Sequence, residues 1–245
     1  MEKVYEKPSG ILEHGKNSFC PGCLHSATFK LVCEVLDEMN LSGDTCYVQG
    51  VGCDAICNFF IGLDTIAVPH GRACAVASGF KRCNPDTFVI TYQGDGDLAS
   101  IGLAETMSAA NRGENFTVIF VNNGIYGMTG GQMAPTTLLG MKTTTTPKGR
   151  DLKTDGGPMH MCELLNDLSG PSYIARVTLT DIPNITKAKA AVKKAFQNQL
   201  DNKGFSFVEF VSNCPTNWGM SPLDSLEFIK NEMLKEYPLG VFRDR

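Results

Sequence analysis

Nothing in this chain is long and apolar enough to cross a bilayer. A membrane helix needs about 20 consecutive apolar residues. The longest apolar run here, residues 56–63, is broken by Cys57, Asn58 and Gly62. Residues 1–8 lack the apolar core of a secretory signal, so the expected location is cytoplasmic. No block of like charge is present either. The 22 Lys and Arg stand against 26 Asp and Glu, a net charge of −4, which argues against nucleic acid or an anionic membrane as partner. There is no internal repeat and no low-complexity tract, and tryptophan occurs once, at Trp218. The length of 245 residues suffices for a full core and reads most simply as a single domain, 1–245.

Cysteine is abundant instead, with ten in the chain. In a reducing compartment these are read as metal ligands, redox groups or packing residues rather than disulfides. Glycine is also frequent and gathers in loops. Apolar spacing predicts helices over residues 25–40, 73–81, 98–110, 159–168, 185–199 and 223–234. Buried-type strands are predicted over 45–51, 65–68, 87–92, 116–121, 173–178 and 206–211. The alternation implies an α/β fold: a doubly wound, mainly parallel sheet with helices on both faces. Residues 1–24 read as an arm and loop. Residues 124–155, rich in Gly, Thr and Pro, form a long segment of the kind that more often carries function than not.

Two turns stand out at the ends of predicted strands. One is Gly94-Asp95-Gly96-Asp97. The other is Asn122-Asn123, reached after one helix and one strand, so both turns fall at the carboxyl edge of the sheet, where α/β folds bind ligands. Magnesium prefers six oxygens and takes several from a phosphate. Asp95 offers a carboxylate, Asn123 an amide oxygen, and the Ile125 carbonyl can turn the same way because Gly124 frees the backbone. Gly94 and Gly96 remove side chains where a diphosphate approaches. The helix expected from Leu98 points its free N–H groups at it. The segment Gly127, Met128 and Thr129, running on to Gln132, could close over the same group. Each half alone could be an ordinary turn; together, at this separation, they form a metal and diphosphate motif.

With these residues the chain resembles the β subunit of 2-oxoacid:ferredoxin oxidoreductases. The resemblance runs over nearly the whole length. It rests on Cys20-Pro21-Gly22-Cys23-Leu24-His25, Gly50-Val51-Gly52-Cys53, His70-Gly71-Arg72-Ala73, Gly94 to Asp97, Asn122-Asn123, Tyr126 to Gln132, and Cys214-Pro215-Thr216-Asn217-Trp218. The Pro69-His70-Gly71-Arg72-Ala73 stretch is similar to the ketoisovalerate members. Gly131-Gln132-Met133-Ala134-Pro135 and the Thr143 to Pro147 run are also similar to the 2-oxoglutarate members. The resemblance implies a thiamine diphosphate-binding fold of the diphosphate type, with cluster-binding loops near both ends. The cofactors implied are thiamine diphosphate, Mg2+ and a [4Fe–4S] cluster on Cys20, Cys23, Cys53 and Cys214. A lone Cys-x-x-Cys reads equally as a zinc knuckle. Cys57 is a rival ligand, and Cys33, Cys46, Cys74, Cys83 and Cys162 read as packing residues.

The resemblance places Gly52, Cys53 and His70 beside the cofactor rings and implies catalytic contacts for His70 and Arg72. Residue chemistry alone allows a structural His70 and a surface ion pair for Arg72. His25 reads as loop structure near the cluster, and Trp218 as packing over the cluster loop. The implied reaction is coenzyme A-dependent oxidative decarboxylation of a 2-oxoacid, with electrons leaving through the cluster to ferredoxin. The activating Glu for the aminopyrimidine ring belongs on a second domain that is not visible here, so an α subunit is expected to supply it. The ferredoxin-type run of four cysteines is also absent, so γ and ferredoxin-like δ subunits are further expected partners. Two other readings stand beside this one: a non-redox thiamine decarboxylase subunit with structural zinc or no metal, and an electron-transfer or scaffold module in which Gly-Asp-Gly is incidental.

Overall fold

A computed structural model describes residues 6–245; the first five residues of the expected N-terminal arm lie outside the described residues. Seven strands form one sheet: β1 (Thr45–Gln49), β2 (Asp64–Ala67), β3 (Phe88–Gly94), β4 (Thr117–Asn122), β5 (Tyr173–Thr178), β6 (Ser206–Val211) and β7 (Gly240–Asp244). Their order is β2-β1-β3-β4-β6-β5-β7. The first six run parallel, and β7 pairs antiparallel with β5. Strands β4, β5 and β6 are buried at every residue. Such continuous burial is what a parallel strand covered on both faces shows.

The helices are α1 (Leu24–Glu38), α2 (Ala73–Cys83), α3 (Leu103–Arg112), α4 (Leu152–Asp155), α5 (Met161–Asn166), α6 (Ile182–Leu200), α7 (Pro215–Trp218), α8 (Pro222–Phe228) and α9 (Leu234–Glu236). On one face, α1 and α6 bury Phe29, Val32, Leu36, Val192 and Phe196 against Tyr47, Tyr92 and Phe210. On the other, α2, α3 and α5 bury Ala77, Ala109 and Cys162 against Val48, Val118 and Phe207. Asp181 starts α6 by accepting the Asn184 N–H at 2.9 Å, a side-chain cap on an otherwise orphaned donor.

Three sequence expectations change. The helix expected over 98–110 begins earlier, as a π-helical turn at Gly96–Ile101, and is broken at Gly102 before α3. Only glycine fits at the break: a Cβ at Gly102 would lie 2.4 Å from the Asp97 carbonyl oxygen and 2.8 Å from that of Gly71. Ile101, just before it, is 49% exposed. The long segment after β4 is pinned by Arg150, whose guanidinium donates to the carbonyls of Pro135 (2.9 Å), Gly156 (2.8 Å) and Gly157 (2.7 Å). Finally, β7 adds an antiparallel edge that apolar spacing did not signal.

Candidate cofactor and cluster site

The turns following β1, β3 and β4 meet at one cavity of about 200 Å³. Its lining includes Gly52, Cys53, His70, Gly94, Asp95, Gly96, Asp97, Asn123, Ile125, Gly127, Met128 and Thr129. The fold therefore gathers every residue nominated from sequence for the cofactor. Arg72 is not among the lining. Its guanidinium meets Glu105 at 2.6 Å and is 42% exposed, so the surface ion pair describes it.

Asp95 and Asn123 come together through one backbone group. The Ile125 N–H donates to Asp95 Oδ2 at 3.1 Å and to Asn123 Oδ1 at 3.2 Å. Asp95 also accepts from Gly96 N at 2.9 Å and Thr136 Oγ1 at 3.0 Å. Burial pushes its carboxyl up to about 7, against the pull of those donors. Gly124 bends the turn at φ 65°, a left-handed conformation that glycine adopts without penalty. A Cβ at Gly94 would meet nothing within 4 Å, so that glycine leaves open space rather than relieving a packing contact.

Asp97 does something else. Its Oδ1 accepts from Val51 N (3.0 Å), Gly71 N (2.8 Å) and His70 Nδ1 (2.5 Å), and its Oδ2 accepts from Gln93 Nε2 (2.6 Å). A carboxylate can only accept, so His70 Nδ1 is the donor in this bond. Across Gly50 lies a second buried carboxyl, Asp54, with no hydrogen-bond partner on either oxygen. Burial and the nearby charge of Asp97 hold it well above the usual carboxylate range.

A second cavity, about 290 Å³, is lined by Cys20, Cys23, Cys53 and Cys214. It shares His25, Cys53, Asn123, Gly127 and Met128 with the first. Gly127 packs close to the thiols: a Cβ there would sit 3.2 Å from Cys53 Sγ and 3.4 Å from Cys214 Sγ. Burial pushes the Cys23 and Cys53 thiols up to about 12, with neighbouring cysteines adding to the rise. Among the described residues no three thiol, imidazole or carboxyl groups close on a single ion. Cys57 is buried and lines neither cavity. His25 is buried, with Nδ1 3.0 Å from the Tyr92 hydroxyl and Phe19 stacked at 5.3 Å; burial lowers it to about 4, so it is neutral. Trp218 packs against Phe228, centroids 5.0 Å apart.

Sequence reading missed the residues that brace these loops. Asn213, fully buried, accepts from Leu24 N (2.9 Å) and donates to Gly22 O (3.0 Å) and Ser225 Oγ (2.8 Å), tying the first cysteine loop to the last. Asn217 donates to Gly127 O at 2.8 Å and lies 3.2 Å from Cys214 Sγ. Only their flanking of Cys214-Pro215 in the sequence marks them out.

A two-turn acidic and amide site at the carboxyl edge of a parallel sheet defines a class, and residues 50–210 match the model of the thiamine pyrophosphate enzyme C-terminal TPP binding domain. Over all 245 residues the chain is 47% identical to ketoisovalerate oxidoreductase subunit VorA of Methanothermobacter thermautotrophicus, covering 51% of that protein. It is 36% identical over 222 residues to 2-oxoglutarate synthase subunit KorB of Methanocaldococcus jannaschii, covering 88% of this chain and 78% of that one. A solved 2-oxoglutarate:ferredoxin oxidoreductase from Magnetococcus marinus, with 2-oxoglutarate, coenzyme A and succinyl-CoA bound, superimposes with a TM-score of 0.79 and 26% identity. The match covers 99% of this chain and 86% of that one. The chain belongs to the thiamine pyrophosphate-binding subunits of the 2-oxoacid oxidoreductase family. It spans about half the length of the ketoisovalerate oxidoreductase relatives it matches.

Proposed function

We propose that this chain is the cofactor-bearing β subunit of a cytoplasmic 2-oxoacid:ferredoxin oxidoreductase. The reaction converts a 2-oxoacid anion and coenzyme A to acyl-CoA, CO2, a proton and two electrons, which pass to ferredoxin. One observation carries the reading: the diphosphate-type cavity and the four-cysteine cavity adjoin, with Cys53, Asn123 and Gly127 among the residues that line both. Higher identity to the ketoisovalerate subunit than to the 2-oxoglutarate one supports a branched-chain 2-oxoacid as substrate, with 2-oxoglutarate second.

The residues fit the cofactors. Asp95, Asn123 and the Ile125 carbonyl would hold Mg2+, with the diphosphate of thiamine diphosphate and a water completing six oxygens. The open space at Gly94 and the buried Asp95 carboxyl, whose partners are hydrogen-bond donors from Gly96, Ile125 and Thr136, both suit a cation with its anionic ligand. Bound thiamine diphosphate supplies an electron sink for decarboxylation. His70, its ring fixed by Asp97, lines the same cavity. Cys20, Cys23, Cys53 and Cys214 would hold a [4Fe–4S] cluster, which accepts electrons singly. Four thiols lining one cavity match the ligand count of such a cluster. The activating Glu comes from an α subunit, a ferredoxin-like δ subunit carries electrons onward, and a γ subunit is a further partner.

The test is anaerobic purification with the partner chains, metal analysis, and assay of pyruvate, 2-oxoglutarate and 3-methyl-2-oxobutanoate with coenzyme A and a low-potential dye. About four irons per chain and dye reduction fastest with the branched-chain acid are expected, with Asp95→Ala abolishing thiamine diphosphate binding. Colourless, iron-free protein that still binds thiamine diphosphate would instead mark a non-redox decarboxylase subunit.

A further inference from the structure

Glu209 on β6 and Arg176 on β5 are both 0% exposed at the side chain and pair at 2.8 Å, Arg176 Nε on Glu209 Oε2. Their neighbours along these strands are apolar or hydroxyl-bearing. An ion pair buried this deeply is weak as a source of stability, because desolvation offsets much of the attraction. Neither residue lines the cofactor cavity. We propose that Glu209 and Arg176 are positioning residues for the metal-binding turn, acting through Asn122. This rests on the reading of Asp95, Asn123 and Ile125 as the magnesium and diphosphate site.

The chain of contacts is continuous. Asn122 Nδ2 donates to Glu209 Oε1 at 2.8 Å, and Asn122 Oδ1 accepts the Gly124 N–H at 3.2 Å. Gly124 lies between the two expected metal-holding residues of this turn, Asn123 and Ile125. Its other backbone group is held too, since Thr137 Oγ1 donates to the Gly124 carbonyl at 2.6 Å. The amide of Asn122 has two orientations, and only one presents oxygen to Gly124. A carboxylate accepts and never donates, so Glu209 forces the NH2 group toward itself and the oxygen toward the turn. Arg176 occupies the other Glu209 oxygen, and the Cys162 thiol approaches that same oxygen at 3.1 Å, which reserves Oε1 for Asn122. The guanidinium is itself fixed, by Glu163 at 2.9 and 2.5 Å and by the Pro238 carbonyl at 3.3 Å. The pair thus favours one orientation of the Asn122 amide, which also meets the Tyr237 hydroxyl, itself a donor to the Thr136 carbonyl.

Magnesium demands near-ideal octahedral geometry, whereas calcium accepts irregular sets of oxygens. Loss of the device should therefore weaken magnesium-supported binding more than calcium-supported binding, a difference that mere loss of stability would not produce. The experiment measures thiamine diphosphate affinity of the full chain with its partner, by calorimetry in MgCl2 and in CaCl2. It uses Glu209→Gln, whose amide can satisfy either orientation of Asn122, and the apolar double variant Arg176→Met with Glu209→Leu, which leaves no unpaired buried charge. Both should bind about 10- to 100-fold more weakly with magnesium, the usual range for removing a group that orients a metal ligand, and lose less with calcium. In an Asn122→Ala background, Glu209→Gln should have no further effect on affinity. Wild-type-like affinity of both variants, equal losses with the two ions, or additivity with Asn122→Ala would each overturn the proposal alone. Failure of the wild-type protein to bind thiamine diphosphate with either ion would bring down the cofactor reading, and this proposal with it.

Discussion

Gly50→Ala tests how the floor of the cofactor cavity is packed. An added Cβ would lie 2.6 Å from Asp97 Oδ2 and 2.7 Å from Asp54 Oδ2, closer than atoms can settle. Both carboxyls have to give way. Asp97 is held by four hydrogen bonds, three of them at 2.8 Å or shorter. Asp54 has none. Asp54 therefore yields more readily than Asp97, inside a fully buried pocket where overpacking by one methyl costs about 1–3 kcal/mol. Against a total stability of about 5–15 kcal/mol, that is a large loss. Asp54→Ala removes one of the two clashes and leaves Asp97 room to shift. The cost of Gly50→Ala should then shrink by about 1 kcal/mol, within the range measured for residues in contact. Urea unfolding of the wild type, both single variants and the double variant closes the cycle, with unchanged m-values showing that stability alone has altered. If the two substitutions prove additive within about 0.3 kcal/mol, the two carboxyls do not crowd Gly50 and this account of the floor is wrong.

Further predictions concern the thiols and the loops. Burial pushes Cys74 up to about 12 from about 9. Between those values the folded chain keeps a proton that the unfolded chain has lost, so stability falls as pH rises. By about pH 10.5 the wild type should lose roughly 2 kcal/mol more than Cys74→Ala, read from denaturation midpoints; parallel pH profiles would contradict this. Asn213→Ala strips the partners from Leu24 N and Gly22 O. A loss of about 1–3 kcal/mol is expected, together with faster iron release to a chelator. Unchanged release would mean that Asn213 does not brace the cysteine loops.

Much of this molecule could be read from local pattern. β5 and β6 form over the residues expected, because Tyr173 to Thr178 and Ser206 to Val211 are rich in β-branched, aromatic and apolar residues, interrupted by Arg176 in one and by Ser206 and Glu209 in the other. The two turns that meet at Asp95 and Asn123 were legible because each ends such a run. What stayed hidden depends on contacts between distant parts of the chain. The π-helical turn at Gly96–Ile101 is followed by a close approach of Gly102 to Gly71, and spacing of apolar residues does not report that approach. Arg72 resembled an anion ligand until folding brought Glu105 to it. Glu209 and Arg176 sit 33 positions apart, and Asn213 reaches back 189 positions to Leu24. β7 is short and half-exposed, with no alternation to announce it.

Strands β4, β5 and β6 leave no side chain to solvent on either face. Side chains alternate between the two faces along each strand, so every replacement there meets one helical layer or the other. The Thr- and Gly-rich span after β4 has no such sandwich around it and depends instead on Arg150, which ties its carbonyls together.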